Sequence, residues 1–160
     1  MRGLTSVPVR WRRLHPAAQA PRYATEGDAG ADLTSVAEVV LDPGDSALVP
    51  TGIALALPVG TVGLVHPRSG MAARHTVTIV NAPGTIDSGY RGEVLVNLVN
   101  LHPRDTFTVR VGDRIAQLVI QEYLHGDFAE ADSLPESTRG ETGHGSTGGF
   151  GAPTDAESAS

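Results

Sequence analysis

"TFTVRV", Thr106–Val111, alternates its side chains without a break. Phe107, Val109 and Val111 fall on one face and Thr108 and Arg110 on the other, the period of two that a half-buried β-strand requires. Moving outward, the same character returns in "EVLVNLVNL" (Glu93–Leu101), "IAQLVIQEYL" (Ile115–Leu124), "VTIV" (Val77–Val80), "TVGLVHP" (Thr61–Pro67) and "SALVPTGIALALP" (Ser46–Pro58). Each run is short, rich in β-branched residues and bounded by Pro, Gly, Asp or Asn. The separators "DPGD" (Asp42–Asp45), "HPRSG" (His66–Gly70), "HPRD" (His102–Asp105) and "VGDR" (Val111–Arg114) recur at strand-length intervals. From Val7 to about Leu124 the pattern is therefore β almost throughout. The best helix candidate is a turn or two at "GMAARH" (Gly70–His75). Many short strands at this spacing predict an all-β sandwich, jelly roll or barrel.

A chain of 160 residues is most simply one domain with a proper core. Aromatics make up only 4%, so that core must be Val, Leu, Ile and Ala. With no cysteine, disulfides, thiolate nucleophiles and Cys-based zinc sites are excluded together, which suits a reducing cytoplasm. No apolar run approaches a membrane span, and no signal peptide is evident at the start. All twelve basic residues counted as Lys+Arg are Arg, so a grip on phosphate must come from Arg, backbone amides, hydroxyls or a metal. A net charge of −6 argues against stable nucleic-acid binding but allows a small anion in a locally positive pocket. From Arg139 the composition turns Gly/Ser/Thr-rich, which predicts a β domain over residues 1–138 and a flexible arm over 139–160.

Several stretches carry candidate chemistry. In "HPRSG", Arg68 and Ser69 lie between a strand and the expected helix, where free N–H groups, a hydroxyl and a guanidinium make a good anion site; a Ser N-cap beside a surface Arg is the plainer alternative. "EGDAGADL" (Glu26–Leu33) holds Asp28 and Asp32, which could hold a hydrated Mg²⁺ or simply cap turns. "NAPGTIDSGYRGE" (Asn81–Glu93) is dense in turn residues, and between its turn pairs sit one carboxylate, Asp87, and, three residues later, one aromatic, Tyr90; it is either a hairpin tip or a pocket wall bearing a base. "GDRIAQL" (Gly112–Leu118) presents Gln117 opposite to Leu118 on a strand. "RGETGHGSTGG" (Arg139–Gly149) places Arg139, His144, Ser146 and Thr147 among glycines, without Walker spacing and without Lys. The six histidines share no metal-ligand spacing, and neither H-E-x-x-H nor G-x-S-x-G occurs.

Taken in order, "DAGADL", "HPRSG", "NAPGTIDSGYRGE", "GDRIAQL" and "RGETGHGSTGG" resemble the five motifs of the dUTP diphosphatases (dUTPases), over roughly residues 7–148. Five collinear motifs are far more specific than any single one. The resemblance implies a homotrimer of jelly-roll-like subunits with shared active sites. Each would draw the first, second and fourth motifs from one chain, the third from a second and the fifth from the third. It implies Mg²⁺ as cofactor, oriented through its water shell by Asp32 and by Asp28. Arg68, Ser69, Gly70 and Gln117 would hold phosphates. The hairpin with Asn81, Gly84, Thr85 and Ile86 would read uracil, Tyr90 would pack under the deoxyribose, and Asp87 would activate the attacking water. Within residues 139–148, which include Gly145, Arg139 and the hydroxyls of Ser146 and Thr147 would close over the triphosphate and His144 would stack on uracil, leaving 149–160 as a disordered tail. The family usually has Phe where this chain has His144. The implied reaction is dUTP plus water giving dUMP and diphosphate by in-line attack on the α-phosphorus, which supplies a thymidylate precursor and limits uracil in DNA. The rivals are dCTP deaminase, which shares fold and trimer, and an inactive β-trimer acting as a binding module.

Overall fold

In the computed structural model the described residues are 5–138 and 140. In chain order they form β1 (Arg10–Arg13), β2 (Ala31–Thr34), β3 (Val39–Leu41), β4 (Ser46–Ala56), β5 (Thr61–His66), α1 (Ser69–His75), β6 (Val77–Ile79), β7 (Gly84–Ile86), β8 (Glu93–Asn100), β9 (Phe107–Val109) and β10 (Arg114–Glu122). Two four-stranded sheets run in the orders β1-β4-β8-β6 and β2-β10-β5-β7, with β3 and β9 as a separate pair. Every pairing is antiparallel. This is the antiparallel all-β layout that the strand periodicity predicts.

Alternation decides which side chains meet. From β8, Val94, Val96, Leu98 and Asn100 point inward and are buried, while Glu93, Leu95, Asn97 and Val99 are more exposed. β5 does the same with Thr61, Gly63 and Val65. The buried apolar residues among those described are Ala, Val, Leu and Ile, with Met71 from α1 as the one addition. The scarcity of aromatics thus reappears as an aliphatic core. Asn100, fully buried, is its polar pin. Its Nδ2 donates to the carbonyls of Leu41 (2.9 Å) and Asp105 (2.8 Å), and its Oδ1 accepts from the His102 amide (2.9 Å), so no polar group there is stranded.

Two irregularities shape the sheets. The β4–β8 register slips between Pro50 and Ala54. At the slip the Thr51 hydroxyl donates to the Val94 carbonyl (2.5 Å) and the Gly52 amide donates to Glu93 Oε1 (2.7 Å). Gly52 sits at φ +69°, and a Cβ there would lie 2.9 Å from Ala18, His15 and Val36, so only glycine fits. The second irregularity corrects an expectation: β9 ends at Val109, and Val111 is 53% exposed rather than facing inward with Phe107 and Val109. Arg110–Asp113 is a turn, closed by Asp113 N to Arg110 O (3.0 Å) and by Asp113 Oδ2 accepting from Arg110 N (2.8 Å). Gly112 adopts φ +89° within it. The turn ends the alternation two residues early.

The chain divides into two compact units, Met1–His125, which holds every strand and the helix found among the described residues, and Gly126–Ser160. Within the second, described residues 126–138 carry no strand or helix, and Phe128 and Leu134 are exposed.

Candidate active site

The first pocket forms where three strands end side by side. Gln117 on β10 pairs with Asp32 on β2 and with His66 on β5. β5 then runs through Pro67 into Arg68, the extended N-cap of α1. The result is a cavity of about 310 Å³ lined by Ala24, Asp28, Gly30, Asp32, Arg68–Gly70, Arg114 and Gln117. Asp32 is its hub. Its Oδ1 accepts from Arg68 Nε and its Oδ2 from Arg114 Nη1, both at 3.0 Å, while Arg68 Nη1 also donates to the Arg114 carbonyl (3.1 Å). One carboxylate thus holds two guanidinium groups at one cavity wall. Gln117 Nε2 donates to Pro67 O (3.0 Å), tying β10 to the loop that bears Arg68. Gly30 makes room for that side chain, since a Cβ there would lie 3.0 Å from Gln117 Cδ. Ser69 is the first helical residue rather than the cap, and no side chain caps α1. Ser69 is exposed and lines the cavity.

Asp28 sits in a turn closed on Thr25. Its carboxylate accepts from Thr25 Oγ1 (2.6 Å) and from the Thr25 amide (2.8 Å). The Thr25 hydroxyl first, and its amide second, hold the Asp28 carboxyl below the usual value. Asp28 and Asp32 line the same cavity. Among the described residues no three His, Asp or Glu side chains stand close enough to hold an ion by themselves. This donor set fits Mg²⁺ that keeps most of its waters and is carried on phosphate, which needs only one or two carboxylates.

The second pocket arises where the chain changes sheets. β6 pairs with β8 in one sheet, and β7 pairs with β5 in the other. The crossing from Ile79 to Gly84 opens a cleft of about 190 Å³ lined by Ile79, Asn81, Gly84, Thr85, Ile86, Asp87, Tyr90 and β8 residues Glu93–Asn97. The turn after β7 is closed by Tyr90 N to Asp87 O (3.0 Å). Arg91 Nη1 folds back to the carbonyls of Ser88 and Tyr90, both at 2.7 Å. The Tyr90 hydroxyl donates to the Glu93 carbonyl (3.0 Å), which lays the ring along the start of β8. The turn is thus closed by backbone groups and Arg91, and among the described residues no hydrogen bond engages the Asp87 carboxylate. Asp87 is exposed at the cleft.

The candidate residues therefore fall into two groups. Asp28, Asp32, Arg68, Ser69, Gly70 and Gln117 share the first pocket, and Asn81, Gly84, Thr85, Ile86, Asp87 and Tyr90 share the second. Arg139, His144, Gly145, Ser146 and Thr147 lie outside the described residues. Sequence reasoning missed Arg114, although it stands in "GDRIAQL". In a regular strand Arg114 and Gln117, three apart, face opposite ways. The β10–β2 register shifts between Arg114 and Ala116, Ile115 and Ala116 are buried in succession, and the bulge turns Arg114 to the side of Gln117. Glu93 was also missed as the anchor that joins the Tyr90 turn to the β4 slip.

The antiparallel β domain thus carries an arginine-and-carboxylate pocket and a separate hairpin-walled cleft. The particular family follows from comparison. The dUTPase family model matches residues 17–148. A deoxyuridine 5'-triphosphate nucleotidohydrolase of Corynebacterium efficiens is 58% identical over 140 residues, covering 88% of this chain and 77% of that protein. One of Nocardia farcinica is 53% identical over 154 residues, covering 96% and 92%. Among solved structures, Staphylococcus bacteriophage 80alpha dUTPase with dUpNHpp has a TM-score of 0.83 at 29% identity, covering 89% of this chain and 99% of that one. A mutant dUTPase from phage phi11 of S. aureus, described for its coordination of a structural Mg(II) ion, has a TM-score of 0.75 at 27% identity, covering 81% and 100%. The chain belongs to the dUTPase family, enzymes that hydrolyse dUTP to dUMP.

Proposed function

We propose that hydrolysis proceeds by in-line attack of water on the α-phosphorus of dUTP, with Asp87 as general base. The observation that carries this is the Asp87 carboxylate, unengaged among the described residues and lining one cleft with Tyr90, Asn81 and Thr85. The water oxygen bonds to the α-phosphorus, its proton passes to Asp87, and the bond to the bridging oxygen breaks to release diphosphate. Asn81, Gly84, Thr85 and Ile86 read the uracil edge. The Tyr90 ring packs against C2′ and leaves no room for a ribose hydroxyl. At the uracil edge, where a wrong base would strand buried hydrogen-bonding groups, such a site discriminates by up to about 10⁴–10⁵-fold.

Arg68, Ser69, Gly70 and Gln117 hold the phosphates, with Arg114 added to that set. Mg²⁺, held by Asp32 and Asp28 through its water shell, would offset charge on the phosphate oxygens when bound. The two pockets share no lining residue. That separation supports sites shared between chains, in which the hairpin of one copy meets the phosphate pocket of another in a homotrimer. The arm, with Arg139, His144, Gly145, Ser146 and Thr147, closes over the nucleotide from the third chain. The dUMP product serves thymidylate synthesis in the cytoplasm, and removal of dUTP keeps uracil out of DNA.

The test is incubation of the full chain and Mg²⁺ with dUTP, dCTP, dTTP and UTP in turn, with products resolved by chromatography. The expected result is dUMP and diphosphate from dUTP, with the other three nucleotides left essentially intact. Conversion of dCTP to dUTP, or no turnover of any nucleotide, contradicts the proposal.

A further inference from the structure

We propose that Gly92 is a positioning residue for sugar selection, because its missing side chain is the space in which the Tyr90 ring is seated. The inference rests on the reading of Tyr90 as the deoxyribose gate and adds what sets that gate. A Cβ built on Gly92 collides with the Tyr90 hydroxyl and lies 2.6 Å from Cζ and 3.0 Å from Cε2. Real Cβ atoms do not approach so closely, so an added methyl group must displace something.

What yields can be read from the surroundings. Gly92 is not among the positive-φ glycines, so the backbone itself accepts alanine. The backbone on either side is tied. Arg91 Nη1 clamps the Ser88 and Tyr90 carbonyls before it. After it, the Glu93 side chain is held by the Gly52 amide, and the Val94 carbonyl by Thr51. The Tyr90 ring, 46% exposed and held at its tip by one hydrogen bond to the Glu93 carbonyl (3.0 Å), is the softest element. A methyl group at Gly92 therefore breaks that bond and swings the ring off the start of β8. Because the ring lines the cleft, its displacement changes the wall that faces C2′. Gly89, in the same turn, provides the contrast: a Cβ there meets nothing within 4 Å.

The experiment measures kcat/KM for dUTP and for UTP with full-length wild type, Gly89→Ala, Gly92→Ala, Tyr90→Ala and the double variant Tyr90→Ala/Gly92→Ala. Gly92→Ala should lower the dUTP/UTP ratio at least about tenfold. Gly89→Ala should leave it within about twofold of wild type. Adding Gly92→Ala to Tyr90→Ala should change the ratio by no more than about twofold, since the glycine acts through the ring. An unchanged ratio in Gly92→Ala, beside a fallen one in Tyr90→Ala, overturns the role of Gly92 alone. An equal fall from Gly92→Ala on both backgrounds overturns it too, because the effect then bypasses Tyr90. An unchanged ratio in Tyr90→Ala overturns the sugar gate and, with it, the selectivity role built on it. Should Gly92→Ala fail to fold, a folded double variant supports the clash with the ring, and an unfolded one overturns it.

Discussion

Replacing Asp32 with Asn tests whether one carboxylate holds the arginine pocket together. The substitution keeps the shape but leaves one acceptor oxygen and turns the other into an NH₂ group that faces a guanidinium. The two bonds at risk are unequal. Arg68 and Asp32 side chains are 26% and 17% exposed, whereas Arg114 is 53% exposed. A charge-assisted bond of the first kind contributes about 1.5–3 kcal/mol. The second is screened by water and contributes about 0–1 kcal/mol. Allowing for the acceptor that survives, Asp32→Asn should cost about 2 kcal/mol, which for a chain of this size is a fall of about 4–8 °C in Tm. The assay is thermal unfolding of both proteins at equal concentration, since the midpoint of an assembly depends on concentration. Ionic strength adds a check: the loss should shrink only slightly at high salt, because the better-shielded Arg68 pair carries most of it. A melting midpoint equal to that of wild type would refute the reasoning, and Asp32 would then be free of a structural role.

Asp87→Asn cannot take a proton, so turnover should fall by about 10²–10⁴-fold while nucleotide binding, measured by calorimetry, persists; turnover near the wild-type rate removes Asp87 as the base. Deletion of residues 139–160 should leave a folded protein with a large loss of kcat and a smaller change in binding, whereas deletion of 149–160 should do little; equal kcat in all three proteins would make Arg139 and His144 bystanders. Thr25→Val removes the hydroxyl that contributes most to lowering the Asp28 carboxyl from its ordinary value of 3.8, so its titration by NMR should move part of the way back up. Because the folded-state value is the lower one, that contribution to stability holds above 3.8 and is lost as pH falls through the lowered value. The variant should therefore show less acid dependence in that window, and an unmoved titration would contradict the hydrogen-bond cause.

Much of the fold is legible because alternation and core membership have one cause. Val94, Val96, Leu98 and Asn100 could be assigned to one face of β8 from spacing alone, and burial follows that spacing. Legibility fails where the backbone departs from its period. The turn at Arg110–Asp113 ends β9 before Val111, and the bulge after Arg114 reverses the face of a cation that alternation had pointed away from Gln117. Both depend on pairing with a distant strand, which no local window contains. The site divides in the same way. Asp32, Arg68, Asp87, Tyr90 and Gln117 stand in compact motifs and could be singled out by residue type. Glu93 and Gly92 could not, because their roles lie in what they touch: the β4 slip in one case and the Tyr90 ring in the other.

Hydrolysis of dUTP in oxygen-18 water, followed by mass analysis of both products, tests the proposed chemistry most directly. Attack on the α-phosphorus by water that Asp87 deprotonates places the heavy oxygen in dUMP and none in diphosphate. Heavy oxygen in the diphosphate would mean attack at the β-phosphorus and would contradict the account.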